Sequence, residues 1–489
     1  MAAPGDEPLA PLVRPHDRLD RRMLLALLAG ALILRLATYA LFGGITHPDE
    51  VFQYLEQAHR LVFGQGIIPW EYRTGMRSWA FPGLLAGIMQ VVRLVGDGPV
   101  EQNAGVAVVL GCLSLVPVGC GFAWGWRSAG PAGALLAGGL NAVWTENLLY
   151  STHALLDAVT ASTLLGGLFL LDSATRRQGG RTGVAAGAVL GLTAALRIQL
   201  LPLVLLAAVL YGKPSRPFRW GGAIIGFWVV FAAFGLLDDL TLGTPFQSIW
   251  YYAWVNQFQG VASSFGVQPW YQYLLNLRWG WDVALPALLA SLLAGATCQP
   301  RLLAVGLATI ALFSLIPHKE ARFIYPAVPL LLTVAGIGSA RIGAWTLARI
   351  GWPLPPVLLG TIGLAAWAAL SLAATLHGSL RWAWLEGQGV VAAMHQASAD
   401  PNACGVAFVG SGEVLFTGGF VHLRTGLRFG HFRSDGPIPS GYDYILTDGV
   451  TTPQLPNLTR GPCRANARPT HPQDWPVVCL WHRLDGCQP

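Results

Sequence analysis

The chain has 489 residues, of which 53% are hydrophobic and only 11% charged. A soluble domain carries about 25% charged residues, so an ordinary soluble globular protein is excluded. The formal net charge of +6 is almost all arginine, with Lys213 and Lys319 the only lysines, and it is spread over short loops between apolar runs. That is the positive-inside pattern of a membrane protein and gives no support to a nucleic-acid partner.

A helix crossing the hydrocarbon core needs about 20 apolar residues, and such runs recur between residues 23 and 376. Arg14, Arg18, Arg21 and Arg22 precede the first run, 23–43, and no small-residue cleavage site follows it. Residues 1–22 therefore read as a cytoplasmic arm and 23–43 as a signal anchor. A polar, aromatic outer loop follows, 44–103, containing the apolar stretch 80–95 with Arg93. If that stretch spanned, every later basic loop would fall outside, so it is expected to lie along the outer leaflet. Spans at 104–126, 131–145 and 154–172 put Arg127, Arg176, Arg177 and Arg181 inside, and an outer loop with Glu146, Asn147 and His153 outside. The run 182–211 carries Arg197 near its middle. One straight helix would bury that guanidinium at mid-bilayer at a cost of about 3 kcal/mol or more. Two short helices turning at Arg197 avoid this and return Lys213, Arg216 and Arg219 to the inside. Spans at 220–237, 282–296, 302–316, 324–340 and 356–376 complete about eleven, with outer loops at 238–279 and 318–322 and Arg301, Arg341 and Arg349 inside.

The transmembrane domain is thus placed at 23–376 and an extracytoplasmic domain at 377–489. The latter opens with a helix expected over 380–398. Short apolar stretches at 405–409 and 444–446, separated by turn residues, then point to a small α/β or mainly β fold. Its four cysteines, Cys404, Cys463, Cys479 and Cys487, suggest two disulfides in an oxidising compartment, with three connectivities open. Cys112, Cys120 and Cys298 fall in or near spans and read as small buried hydrophobes.

Four polar clusters share the outer face. In His47-Pro48-Asp49-Glu50, Pro48 suits the first turn of a helix. Asp49, Gln53 and Glu56 then share a face at i, i+4 and i+7. A helix N-terminus favours ionised carboxylates, so Asp49 and Glu50 are candidates for the base that takes a proton from an attacking hydroxyl; the alternative is that they only cap the helix. His318, Lys319 and Arg322 offer charge-assisted hydrogen bonds to a phosphate, or else form an interfacial loop whose side chains snorkel to water. Arg197 is a second candidate phosphate contact, or a structural charge at a turn. Glu146 and His153 are candidate cavity-lining residues. The aromatic stretch 261–271 suits an interfacial belt or stacking on a sugar. No P-loop and no acidic pair in a metal-binding context occurs in the sequence, so no metal and no cofactor is expected.

The stretches HPDEVFQYLEQAHRLVFGQGIIPWEYRTGMRS at 47–78, TPF at 244–246, SSFGVQPWYQY at 263–273 and HKEARFIYP at 318–326 together resemble the membrane mannosyltransferases that include the third GPI mannosyltransferase and the dolichol-pathway enzymes. The third stretch departs from the family's usual SSFYG-x-HPW at Gly266-Val267-Gln268-Pro269, and the polar C-terminal domain exceeds the family motifs. The resemblance implies an all-α polytopic C-type glycosyltransferase fold with a catalytic first outer loop. It implies inverting, metal-free transfer of mannose from a polyprenyl- or dolichyl-phosphate donor to a glycan or glycolipid acceptor. It implies Asp49 as the base, with Glu50 supporting it or taking the role. Glu71, Arg77 and Trp270 would shape the cavity, His47 and Gln53 would bind donor or substrate, and His318, Lys319 and Arg322 would face the phosphate. The expected location is a bacterial inner membrane with the site facing the periplasm, or the endoplasmic reticulum membrane in a eukaryote. Three other readings are a same-fold transferase using a different lipid-linked sugar, a non-catalytic glycan-binding membrane subunit, and a transporter or flippase. The last should show paired broken helices with midplane polar residues, whereas here the charges gather on one face.

Overall fold

The computed structural model describes residues 18–177, 180–212, 217–410, 418–433, 436–449, 451–453, 455, 457–466 and 476–486. The arm before residue 18, Lys213 and Arg216, and Cys487 lie outside the described residues.

The chain is a multi-pass membrane helix bundle followed by a small sheet domain. Among the described residues seven helical stretches are long and apolar enough to cross a membrane. One of them, Pro99–Val143, is two passes: Ala129 (φ −150°) and Gly130 (φ +60°) break it just before Pro131. A proline cannot donate the helical hydrogen bond, and glycine tolerates the positive φ. Three shorter apolar helices, Gly180–Leu196, Ile198–Tyr211 and Pro300–Ser314, occupy the remaining expected positions. The turn at Arg197 is present: helix Gly180–Leu196 ends, Arg197 is extended (φ −146°, ψ 90°), and Leu201–Tyr211 returns. The stretch expected on the outer leaflet forms the 13-residue helix Ala80–Val92. It buries Leu85 and Met89 and leaves Leu84 and Val91 exposed. Arg35, in the first helix Arg18–Phe42, is 1% exposed and pins neighbouring passes by donating to Ser114 Oγ (2.7 Å), Asn141 O (3.2 Å) and Ala142 O (3.3 Å).

Three expectations are corrected. The outer stretch 238–279 is largely helical: Pro217–Leu242 runs on past Asp238, and Gln247–Ala253, Trp254–Phe258 and Val261–Ser264 follow. Asp238, fully buried, accepts from Ser248 N (3.0 Å) and Ser248 Oγ (2.6 Å) and so fixes the start of that excursion. The helix expected at 380–398 is two, Leu380–Ala383 and Gln388–Ala399, interrupted before Gly387 (φ +72°). The helix that starts at Pro48 is not α-helical throughout: Glu50–Leu55 is a π-helix that passes into the α-helix Glu56–Phe63. Its wider turns undo the expected Asp49–Gln53–Glu56 face.

The helix ends sort by charge. Asp157 opens the helix Leu156–Arg177 and Arg176 closes it. Arg301 starts Pro300–Ser314, which leads into 318–322, and Arg349 ends Val328–Arg349, which leads away from it. The scattered basic loops therefore lie at the bundle end opposite Asp157 and Arg322.

The C-terminal domain is a five-stranded sheet in the order β2-β1-β3-β5-β4, with β1 Gly405–Val409, β2 Arg428–Phe432, β3 Tyr444–Thr447, β4 Leu458–Ala465 and β5 Val477–Arg483. The strands β2, β1 and β3 are parallel, and β5 is antiparallel to β3 and β4. β1 and β3 are buried throughout, as befits parallel strands covered on both faces. Cys463 and Cys479 face each other across β4 and β5 and form a disulfide; Cys404 is also disulfide-bonded.

Candidate active site

Arg322 gathers the charged residues at this end of the bundle. It stands where the loop 317–320 turns into the 3-10 helix Ala321–Ala327, and its side chain is 9% exposed. Its Nη2 donates to Asp49 Oδ2 (2.5 Å), its Nε to Glu320 Oε2 (2.6 Å) and its Nη1 to Asp157 Oδ2 (3.2 Å). Asp157, whose side chain is 1% exposed, is also ion-paired with Arg197. Both guanidiniums lie over the Phe323 ring, at 5.0 and 5.1 Å, which gives each an apolar wall with a negative face. Glu320 is further held by His47 Nε2 and His318 Nε2, each at 3.0 Å. Residues from four separate stretches of sequence thus form one network of paired buried charges, as a low-dielectric site requires.

The two candidate bases have different surroundings. Glu50 is 5% exposed and fully engaged. It accepts from Ala154 N (3.1 Å), Thr46 N (3.3 Å) and Thr46 Oγ1 (3.2 Å), and lies 2.8 Å from His153 Nδ1. Glu50 is therefore a structural tie between the first outer loop and the turn before Leu156. Asp49 makes no capping hydrogen bond with its side chain, which is 23% exposed. Burial pushes its carboxyl up, but Arg322, with His47 and Arg77 behind it, outweighs burial and holds it below the usual value. Glu320 behaves alike: Arg322 and the two histidines overcome burial and keep it ionised. The hydrogen bond that His318 donates to the Glu320 carboxylate raises His318 above the ordinary imidazole value.

The other predicted residues divide. Arg77 pairs with Glu71 Oε1 (2.7 Å) and lies 5.1 Å from the Tyr252 ring, and Gln53 donates to the same oxygen (3.1 Å). These three line the flank of the helix that bears Asp49. Lys319, 6% exposed, gives two of its N–H groups to backbone carbonyls, Ile316 O (2.5 Å) and Gln268 O (3.2 Å), so it braces the 266–268 turn from beneath. Trp270 stands apart, 67% exposed with Tyr271 against its edge. Glu146 is held by the indoles of Trp281 (2.8 Å) and Trp144 (2.9 Å). Sequence reasoning missed Asp157 and Glu320. An acid in the first turn of an otherwise apolar helix was a usable signal for Asp157; Glu320 sat in a stretch read for its cations.

Set against known proteins, residues 27–402 match the profile of the Alg9-like mannosyltransferase family. GPI mannosyltransferase 3 of Yarrowia lipolytica is 29% identical, over 65% of this chain and 62% of that one. GPI alpha-1,2-mannosyltransferase 3 of Mus musculus is 24% identical, over 66% and 59%. The chain thus spans about three fifths of these relatives' length. Among solved structures, ArnT from Cupriavidus metallidurans bound to undecaprenyl phosphate shares the fold, with a TM-score of 0.59 at 14% identity over 96% of this chain and 99% of that one. This likeness includes the C-terminal sheet domain, most of which lies beyond the family match.

Proposed function

Because the chain belongs to the Alg9-like mannosyltransferase family, we propose that it is a membrane-embedded inverting mannosyltransferase. It takes mannose from a polyprenyl- or dolichyl-phosphate donor and passes it to a hydroxyl of a lipid-linked or envelope glycan, at the membrane face away from the cytoplasm. The sugar follows the named activity of the relatives, and the face follows the arginines at the opposite bundle end.

The observation that carries this reading is the Asp49–Arg322 pair: a partly exposed carboxylate, kept ionised, beside the guanidinium best placed to meet a phosphate. The acceptor oxygen attacks the anomeric carbon, and the bond from that carbon to the phosphate oxygen breaks. The phosphate leaves with the electron pair, and the hydroxyl proton passes to Asp49. A carboxylate bound to a guanidinium is a weak base. A donor phosphate competing for Arg322 takes that cation from Asp49, and the carboxylate's proton affinity rises as it does so. Arg197, Asp157 and Glu320 keep Arg322 in place.

The test is transfer of radiolabel from polyprenyl-phosphate mannose to a lipid extract of the source membranes, by purified protein in detergent containing EDTA. Label in a new glycolipid or glycan is the expected result. Binding of the donor without any transfer would overturn the reading.

A further inference from the structure

The C-terminal sheet domain reaches the helix that carries Asp49 through a buried polar contact at Glu56. Glu56, seven residues on, is 0% exposed. Its Oε1 accepts from Val421 N (2.7 Å) in the sheet domain, and its Oε2 accepts from Ile67 N (2.7 Å) in the first outer loop. Gly419, at φ +62°, lets the backbone approach: a Cβ there would fall 2.5 Å from Glu56 Oε1. Asn103 Nδ2, on the helix Pro99–Leu113, donates to Val421 O (3.0 Å), so both polar groups of Val421 are held by the membrane domain. A second seam lies at the other end of the same segment, where Ile45 N donates to Glu386 O (2.9 Å). Val391 and Val421 complete the apolar core formed by Ile45, Val51, Tyr54 and Leu55.

The segment from Ile45 to Phe63 is therefore fixed from two sides. Glu50 ties it to the membrane bundle, and Glu56 and Ile45 tie it to the sheet domain, with the π-helix Glu50–Leu55 between them. A π-helix is rare and occurs mostly as a single turn inserted in an α-helix, frequently at functional sites. Here that turn lies between the two sets of contacts that hold the segment from outside.

From this arrangement we infer that Glu56 is a positioning residue, through which the C-terminal domain sets the register of the helix bearing Asp49. The domain is a working part of the transfer site, not an appended module. The inference rests on the proposed role of Asp49. Releasing Glu56 moves the base but leaves Arg322, Glu320 and His318, which stand on a different element. The turnover step then suffers while donor binding holds.

The experiment compares Glu56→Ala, Glu56→Gln and Gly419→Ala in the full chain with wild type. It reads kcat, donor KM with polyprenyl-phosphate mannose, and hydrogen–deuterium exchange over 50–63 and 419–428. Gln keeps one acceptor oxygen where two are used, so it should fall between wild type and Ala. Gly419→Ala disturbs the same contact from the sheet-domain side and covers the case in which Glu56→Ala fails to fold. The expected result is a kcat reduced roughly tenfold to a hundredfold in Glu56→Ala and Gly419→Ala, with donor KM within about twofold on the same reasoning, and faster exchange in both segments. A kcat close to wild type despite faster exchange at 419–428 would overturn the inference, as would unchanged exchange over 50–63 in Gly419→Ala. If wild type transfers no mannose, the proposed function fails instead, and the exchange data still decide whether the domain fixes the helix.

Discussion

Asp157→Asn separates a structural charge from a catalytic one. The Asp157 side chain is 1% exposed and serves two guanidiniums, Arg197 and Arg322. Arg322 would keep Asp49 and Glu320. Arg197 would lose the one carboxylate it pairs with among the described residues, keeping only the Phe313 and Phe323 rings at 5.2 and 5.0 Å. Leaving one member of a buried pair uncompensated costs about 3–5 kcal/mol, and at roughly 1 kcal/mol per degree for a chain of this length, Tm should fall by about 3–5 °C. Removing both members, in Asp157→Asn with Arg197→Met, leaves a near-neutral apolar contact. The double variant should therefore recover most of the loss, a coupling that a double-mutant cycle isolates. The assay is thermal unfolding of all four proteins in one detergent, followed by tryptophan fluorescence. A loss below about 1 kcal/mol in the single variant would refute the reasoning, on the ordinary scale of surface changes. So would a double variant no more stable than Asp157→Asn alone.

Three further outcomes follow from the geometry. Glu50→Gln should cost about 1–3 kcal/mol, because its amide nitrogen would face a donor, yet retain measurable transfer; complete loss in a folded, donor-binding variant would make Glu50 the base. Burial raises Glu56 to about 7 from an ordinary 4.5, against the hydrogen bonds from Ile67 and Val421 that favour its charged form. The folded state then binds the extra proton, so this group's stabilising contribution is full below pH 4.5 and lost as pH rises to about 7. His59, His395 and His422, which burial lowers, slope the other way below their ordinary value of 6.5, and Arg60 on the same helix pulls Glu56 down without outweighing its burial. The readout is thus wild type minus Glu56→Gln across that window, which should decline with pH; a flat difference would contradict it. Reducing Cys463–Cys479, which closes 16 residues of chain, should destabilise the sheet domain by about 3 kcal/mol, seen as earlier exchange of β4 and β5 than of the helices; uniform exchange would contradict it.

The apolar passes were legible because lipid leaves few choices. The cost of a guanidinium at mid-bilayer is enough to place the break at Arg197, which the chain makes between Gly180–Leu196 and Leu201–Tyr211. The motifs also place Asp49 and Arg322 on one face, although they are 273 residues apart. What spacing did not convey was which partner each side chain takes. Asp49 and Glu50 are adjacent and chemically alike, and their surroundings differ through distant partners, His153 and Ala154 against Glu50 and Arg322 against Asp49. The expected Asp49–Gln53–Glu56 face assumed 3.6 residues per turn, and contacts 365 residues away at Val421 accompany a wider one. Lys319 read as a phosphate ligand because cations in outer loops suggest one, but the fold directs it to two carbonyls beneath its own loop.

The central claim is that Asp49 accepts the proton of the attacking hydroxyl. The direct measurement is single-turnover transfer from radiolabelled polyprenyl-phosphate mannose by wild type and Asp49→Asn, with donor binding measured on the same preparations. The account predicts that the variant binds donor, unfolds within a few degrees of wild type, and transfers at least about a hundredfold more slowly, the lower end of general-base contributions. Transfer at the wild-type rate by a folded, donor-binding Asp49→Asn would contradict it.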